Sequence, residues 1–415
     1  MMAEQANRFS TQRWIRIAFI NLLIVASLGV IMRYKIAYYL PFIKQENFLH
    51  AHSHFAFAGW LTQVIMVLMV LSLIDHLPGV SLKKYTWLIS ANVLIAYAML
   101  VSFIWQGYGI VSLTAETISF IIPYLFAIPY WKDLSKIKDH SVSSWWFKAA
   151  LVFNVISSFG AFFISYIIAN HVNHPTWYLA GNYFYLHFQY NGWFFFACMG
   201  LLFNRFKDVL ITHNFQKKIF LLFAGACIPA YFLSALWLPI PLWVYILVVL
   251  AALAQVAALI LLLKKIYVTR AIFFEGVNSA TRWILILSAL ALTIKIFLQA
   301  GSTIPELSKI AFGFRPVIIG YLHLVLLGVL TLFVIGYSKM KDLIITNRLG
   351  SAGIFIFITG IILNELLLMT QGISYMNNIS VPLINQFLLG AALVMFGGVL
   401  LFNIGLHTDY KDKKR

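Results

Sequence analysis

The chain has 415 residues, of which 62% are hydrophobic and 10% charged, and a formal net charge of +17. A soluble domain holds about 45–50% apolar and about 25% charged residues, so this composition excludes a soluble globular fold. Lipid then demands helices, because each backbone polar group must find its partner inside its own segment.

The apolar runs, taken in order, give twelve expected spans of bilayer length. They are 14–32, 49–75, 86–108, 110–131, 145–169, 182–204, 219–238, 242–263, 283–300, 316–337, 351–369 and 383–405. The first follows a basic stretch and has no small-x-small cleavage site, so it reads as a retained helix. The connections are short, and 1–415 reads as a single all-α, polytopic membrane domain. Cys198 and Cys227 both lie inside apolar runs. There is no CxxC pair and no CxxCH, so neither a disulfide scaffold nor covalent haem attachment is expected.

Lysine and arginine alternate between the connections. Twenty-four fall on one set, from Arg8, Arg13 and Arg16 through Lys138 and Lys207 to the tail Lys411, Lys413, Lys414 and Arg415. Five fall on the other: Arg33, Lys35, Lys44, Lys309 and Arg315. Positive charge stays on the cytoplasmic side, so the expectation is a multi-pass protein of the cytoplasmic (inner) membrane with both termini in the cytoplasm. The basic balance orients the chain in its bilayer; with no basic folded surface, nucleic acid is not an expected partner.

The second expected span opens with "ENFLHAHSHFAFAGWLTQ", which places His50, His52 and His54 at the mouth of an apolar run. Its "HFAFAGW" aligns with "HFQYNGW" from His187 and "HLVLLGV" from His323. Each is H-x4-G, and the histidines are 133 and 136 residues apart, on spans two, six and ten. A fixed period is an architectural signal: four helices repeated three times, as pseudo-repeats over 14–131, 145–263 and 283–405. All three histidines then fall about 10 Å below the outer face, at 1.5 Å rise per residue. His50 shares a face with His54, and His52 points elsewhere. The glycine five positions on would admit a close neighbour or a flat cofactor.

Glu116, Lys295 and Glu365 are expected in the same outer half, with Gln106, Gln189, Asn191 and Gln299. Ionisable groups at membrane depth face a cavity or one another and mark functional sites. Two readings stand for the charged three: a buried ion pair with Lys295 as the common partner, or a proton relay or charge compensation for haem propionates. Neutral imidazole is the usual nitrogen ligand of haem iron and of copper, so His50, His54, His187 and His323 are the candidate metal ligands. His171 and His174, in "ANHVNHPTW", read as solvated loop residues, with H-x2-H a minor copper candidate. His76, His140, His213 and His407 fall on the cytoplasmic side and take no role.

These residues resemble the catalytic subunit of the haem–copper oxidases and nitric oxide reductases. "YLHLVLLGVLTLF" is similar to that superfamily's helix-ten stretch, "LHAHSHFAFAGW" to its helix two and "YLHFQYNGW" to its helix six. A likeness to the NnrS-type haem–copper membrane proteins lies in the helix-two histidines and the later "LHxxxxG"-like segment. The resemblance implies a non-covalent b-type haem with His323 as proximal ligand, His54 or His50 as a second haem ligand, and His187 as distal or metal-binding residue. Copper or non-haem iron would be the second metal. Span seven, "IFLLFAGACIPAYFLSALWLP", has no histidine pair, and Tyr321 stands where an H-x-H motif would have its first histidine; one haem fits this better than two.

The activity implied is that of a haem-dependent oxidoreductase handling NO or O2, with Glu116 and Glu365 carrying protons and Lys295 tuning them. Besides the bilayer, the partners would be a cytochrome or quinol electron donor and a small gas. The rival classes are a permease with an intramembrane Lys/Glu path and a non-catalytic haem or metal sensor.

Overall fold

The computed structural model describes residues 11–77, 79–137, 142–172, 174–205 and 212–407. Arg8, Lys138, Lys207 and the tail cations Lys411 to Arg415, used above for orientation, lie outside the described residues, as does His140. The protein is helical, and its one small sheet is the antiparallel pairing of β1, Ile345–Thr346, with β2, Leu406–His407. Ten helices among the described residues are long and apolar enough to cross a membrane, which makes this a multi-pass membrane protein. The other two expected spans, 182–204 and 219–238, take broken forms. The first is α7, Pro175–His187, a π turn and α8, Phe195–Arg205. The second is α9, His213–Cys227, giving way to a 3-10 turn over Pro229–Ser234. Pro229 has no N–H to donate and its ring cannot follow a regular turn, so α9 ends there.

The chain divides into two compact units. The first, Met1–Lys136 with Val334–Arg415, holds α1 (Thr11–Ala37), α2 (Gln45–His54), α3 (Gln63–His76), α4 (Lys83–Gln106) and α5 (Ile110–Leu134). It also holds α16 (Arg348–Met376) and α17 (Ile384–Ile404). Glycine makes the α16–α17 contact: a Cβ on Gly360 would meet the Met395 backbone at 2.8 Å, and one on Gly353 or Gly398 would strike the facing backbone outright. Small residues let helices approach where lipid provides no hydrophobic drive. Asn403 of α17 donates to the Phe19 carbonyl of α1 at 3.1 Å. At one end of this unit Asp133 gathers Lys84, Tyr85 (2.8 Å) and Lys136 (2.7 Å), and Asp75 takes Lys341 at 3.1 Å. The histidines of α2 lie at the opposite end of the same helices.

The second unit, Ile137–Phe333, holds α6 (Val142–Ala169), α7 to α9, α10 (Leu242–Val268) and the short α11 (Arg270–Phe273). After these come α12 (Ser279–Gly301), α13 (Pro305–Gly313), α14 (Arg315–His323) and a π turn; α15 (Leu332–Met340), which follows, lies in the first unit from Val334 onward. Gly160 and Gly181 bring α6 and α7 together, for a Cβ on Gly160 would sit 2.6 Å from the Gly181 carbonyl.

Three π segments interrupt these helices: π1, Phe55–Thr62, π2, Phe188–Phe194, and π3, Leu324–Thr331. Each begins at the residue after one of the three aligned histidines and contains the aligned glycine. π turns are rare and occur mostly as single bulges at functional sites. Widening the helix strands carbonyls that need outside donors, and buried side chains of the same unit supply them. Asn92 reaches Ala58 at 3.1 Å, Asn21 reaches Gly59 at 2.6 Å, and Ser288 reaches Val329 at 2.8 Å. Within π3 itself, the Thr331 hydroxyl donates to the Leu326 carbonyl at 2.8 Å.

Candidate functional site

In the first unit α2 and α3, joined through π1, form the most enclosed long helix: 89% of its apolar stretch is buried, against 33–44% for the other nine. Protein rather than lipid therefore surrounds it. Glu46, His50 and His54 lie at i, i+4 and i+8 and share one stripe of α2. The α4–α5 turn closes over this stripe. Gly107 takes φ +65° there, and a Cβ on it would strike the Asn47 amide oxygen at 2.6 Å. That turn brings Tyr108 against His50, with ring centres 4.3 Å apart. Phe103 of α4 stacks flat on His54 at 4.5 Å and 4°.

Glu116, on the second turn of α5, faces His54, with Oε1 3.8 Å from Nδ1. His50 Nε2 lies 3.8 Å from the Glu46 carboxylate. His52 is turned the other way, as its helical offset requires, and its Nδ1–H donates to the Val25 carbonyl of α1 at 3.1 Å.

The second unit holds His187, Lys295 and His323. His187 is fully buried. Its Nε2–H donates to the Cys227 carbonyl at 2.8 Å, and its Nδ1 accepts from the Asn191 amide at 3.1 Å. The break at Pro229 explains the first bond. The chain tightens there, Tyr231 N–H bonding Ile228, and the Cys227 carbonyl turns to the imidazole. With both ring nitrogens engaged, His187 offers no lone pair to a metal in this arrangement; it ties π2 to the end of α9.

Lys295, on α12, is 6% exposed. Its ammonium lies 5.8 Å from the centre of the Phe195 ring, a cation–π distance. No carboxylate of the described residues of the second unit pairs with it; in the first unit no lysine or arginine of the described residues pairs with Glu365, which accepts from the Asn364 amide at 3.2 Å. Within their own units the three charged groups stand as Glu116 against His54, Glu365 beside Asn364 and Lys295 over an aromatic face. On α14, His323 Nδ1–H donates to the Ile319 carbonyl one turn back, at 2.9 Å. That bond sets the tautomer, with the proton on Nδ1. Tyr190 and Tyr321 face each other edge to face at 6.1 Å.

Within either unit, no three His, Cys, Asp or Glu side chains of the described residues converge as one metal ion would require. A haem iron asks for only one imidazole with a fixed tautomer, and His323 fits that demand. Sequence reasoning overlooked Glu46, although its i−4 spacing from His50 was visible. It also overlooked Phe103, Tyr108 and the amide donors Asn21 and Asn92, which carry no motif. No family model matches the chain, and no curated protein is similar to it in sequence.

Proposed function

We propose that this chain is a haem-binding integral membrane protein of the haem–copper oxidase and nitric oxide reductase type, with His323 as the iron ligand. Its twelve membrane passes would form three four-helix arcs, both termini in the cytoplasm and the histidines towards the outer face. One observation carries the reading: H-x4-G recurs at near-equal spacing, and each copy opens a π turn at the residue after its histidine. A helix interrupted at one repeated position is more than a chance alignment of seven residues, and it supports a tripled unit. Bound haem would supply an iron able to take a diatomic gas and exchange electrons.

The chain's own part is to hold the imidazole. The Ile319 carbonyl fixes the His323 tautomer, and Ser288 anchors π3 below it through Val329. Electrons would come from a cytochrome or quinol partner. The buried Lys295, which has no carboxylate partner among the described residues of its own unit, favours a second reading, an anion-handling carrier, since a permeating anion would supply a counter-charge.

Purification in detergent with a visible spectrum and metal analysis separates the two. A Soret band that is present in the native protein and absent in His323→Ala is the expected result. A colourless, iron-free protein overturns the haem reading in favour of the carrier.

A further inference from the structure

Four titratable side chains of the first unit stand in line. Glu46 is 81% exposed at its side chain; His50 is 19%, His54 16% and Glu116 16%. The line thus runs from a solvated carboxylate to an enclosed one through two imidazoles. Its gaps are 3.8 Å from Glu46 to His50, 6.3 Å between the two imidazole centres, and 3.8 Å from His54 to Glu116. These contacts are too long for fixed hydrogen bonds and short enough for a side-chain rotation to close.

The other polar groups nearby are turned away from the line. Asn47 donates to the Ile104 carbonyl. His52 donates to Val25 and feels Arg33 of α1. Lys35 is drawn to the Leu40 carbonyl. Tyr108 touches the line through its ring, packed on His50 and edge-on to His54. No lysine or arginine of the described residues pairs with Glu46 or Glu116, so neither carboxylate is locked into a permanent ion pair.

We propose that Glu46, His50, His54 and Glu116 form a proton path, with Glu116 as the enclosed group that stores the proton. Imidazole suits this because it binds a proton at one nitrogen and releases one from the other. His50 Nε2 faces Glu46 and His54 Nδ1 faces Glu116. On this path His50 would receive at Nε2 and pass a proton from Nδ1, and His54 would receive at Nε2 and release from Nδ1. One proton leaves the Glu46 carboxyl or surface water and one arrives on the Glu116 carboxylate; nothing is oxidised or reduced. Phe103 stacks flat on His54, and in this rotamer the Nδ1 edge is towards Glu116. The path does not use His323, the iron ligand proposed above; a ring that binds iron cannot pass a proton, so the path excludes the second-ligand role that the resemblance implied for His54 or His50.

The test uses the full-length protein in nanodiscs, with protons released by a light pulse from a caged acid. Infrared difference spectra report the carboxyl C=O stretch, and loss of one band in Glu116→Gln assigns it. In the native protein that band should rise after the pulse. In His54→Ala the rise should slow by at least about tenfold, the scale on which a positioned proton carrier acts. Its final amplitude should be unchanged, and added imidazole should restore part of the rate. His50→Gln, at a partly exposed position, should slow the rise too, and it preserves the test should His54→Ala fail to fold. Native rates in both variants, or a Glu116 band that does not respond to pH, would overturn the proposal.

Discussion

His54 and His187 stand at the same place in the same motif and have opposite surroundings. Each is the last residue before a π turn, and each is followed five residues later by glycine. His54 keeps 16% of its side chain exposed, touches its carboxylate at 3.8 Å and lies on an aromatic face. His187 is fully buried and spends both nitrogens on bonds of 2.8 and 3.1 Å. The backbone device is shared, and the neighbour decides the chemistry. α9 breaks at Pro229 and presents a carbonyl to His187. α5 begins after a glycine turn and presents Glu116 to His54. A repeated motif therefore places an imidazole without settling its use, and one ring became a structural tie while the other holds only a loose contact with a carboxylate.

The contrast is sharpest in stability. His187→Ala strands the Cys227 carbonyl and the Asn191 amide in the interior, and each buried orphan costs about 1–3 kcal/mol. The variant should lose about 2–5 kcal/mol in a reversible unfolding titration in mixed micelles. A loss below about 1 kcal/mol would show that His187 is not the tie described here.

The aligned glycines give the next effect. A Cβ on Gly192 would lie 2.5 Å from the Cβ of Phe153, close to the α6 backbone, which cannot yield. A Cβ on Gly59 would meet the Phe55 ring at 2.7 Å, and a ring can swing aside. Gly192→Ala should thus cost about 1–3 kcal/mol, the usual scale of overpacking. Gly59→Ala should cost less in the same titration, and equal losses would erase the distinction between the two turns.

Much of this contrast lies beyond what a single sequence displays. Composition and run length were enough for a helical membrane fold, because lipid leaves the backbone no alternative. The histidine–glycine repeat marked three sites that all proved to be π turns, although no residue pattern announces a π turn as such. Glu46 was legible as the i−4 neighbour of His50 and went unread beside three histidines. The Cys227 carbonyl was not legible: it depends on where Pro229 ends a helix 40 residues from His187. The setting of Lys295 was not legible for a related reason. A buried lysine invites a carboxylate, yet the π face of Phe195 stands in that place, and aromatic residues are too many here to single one out.

The smallest stability effect belongs to His54, and it joins the comparison to function. His54→Ala removes a loose, partly solvated pair with Glu116, and such pairs contribute about 0–1 kcal/mol. It also removes an imidazole from the Phe103 face, where stacking contributes about 0.5–1.5 kcal/mol. The total should stay below about 2.5 kcal/mol, at the low end of the range for His187→Ala. A ring that matters little to folding and greatly to the proton transfer rate of Glu116 is what a mobile carrier requires. Were His54→Ala to unfold the protein as readily as His187→Ala, both imidazoles would be structural ties, and the difference between π1 and π2 would reduce to their exposure.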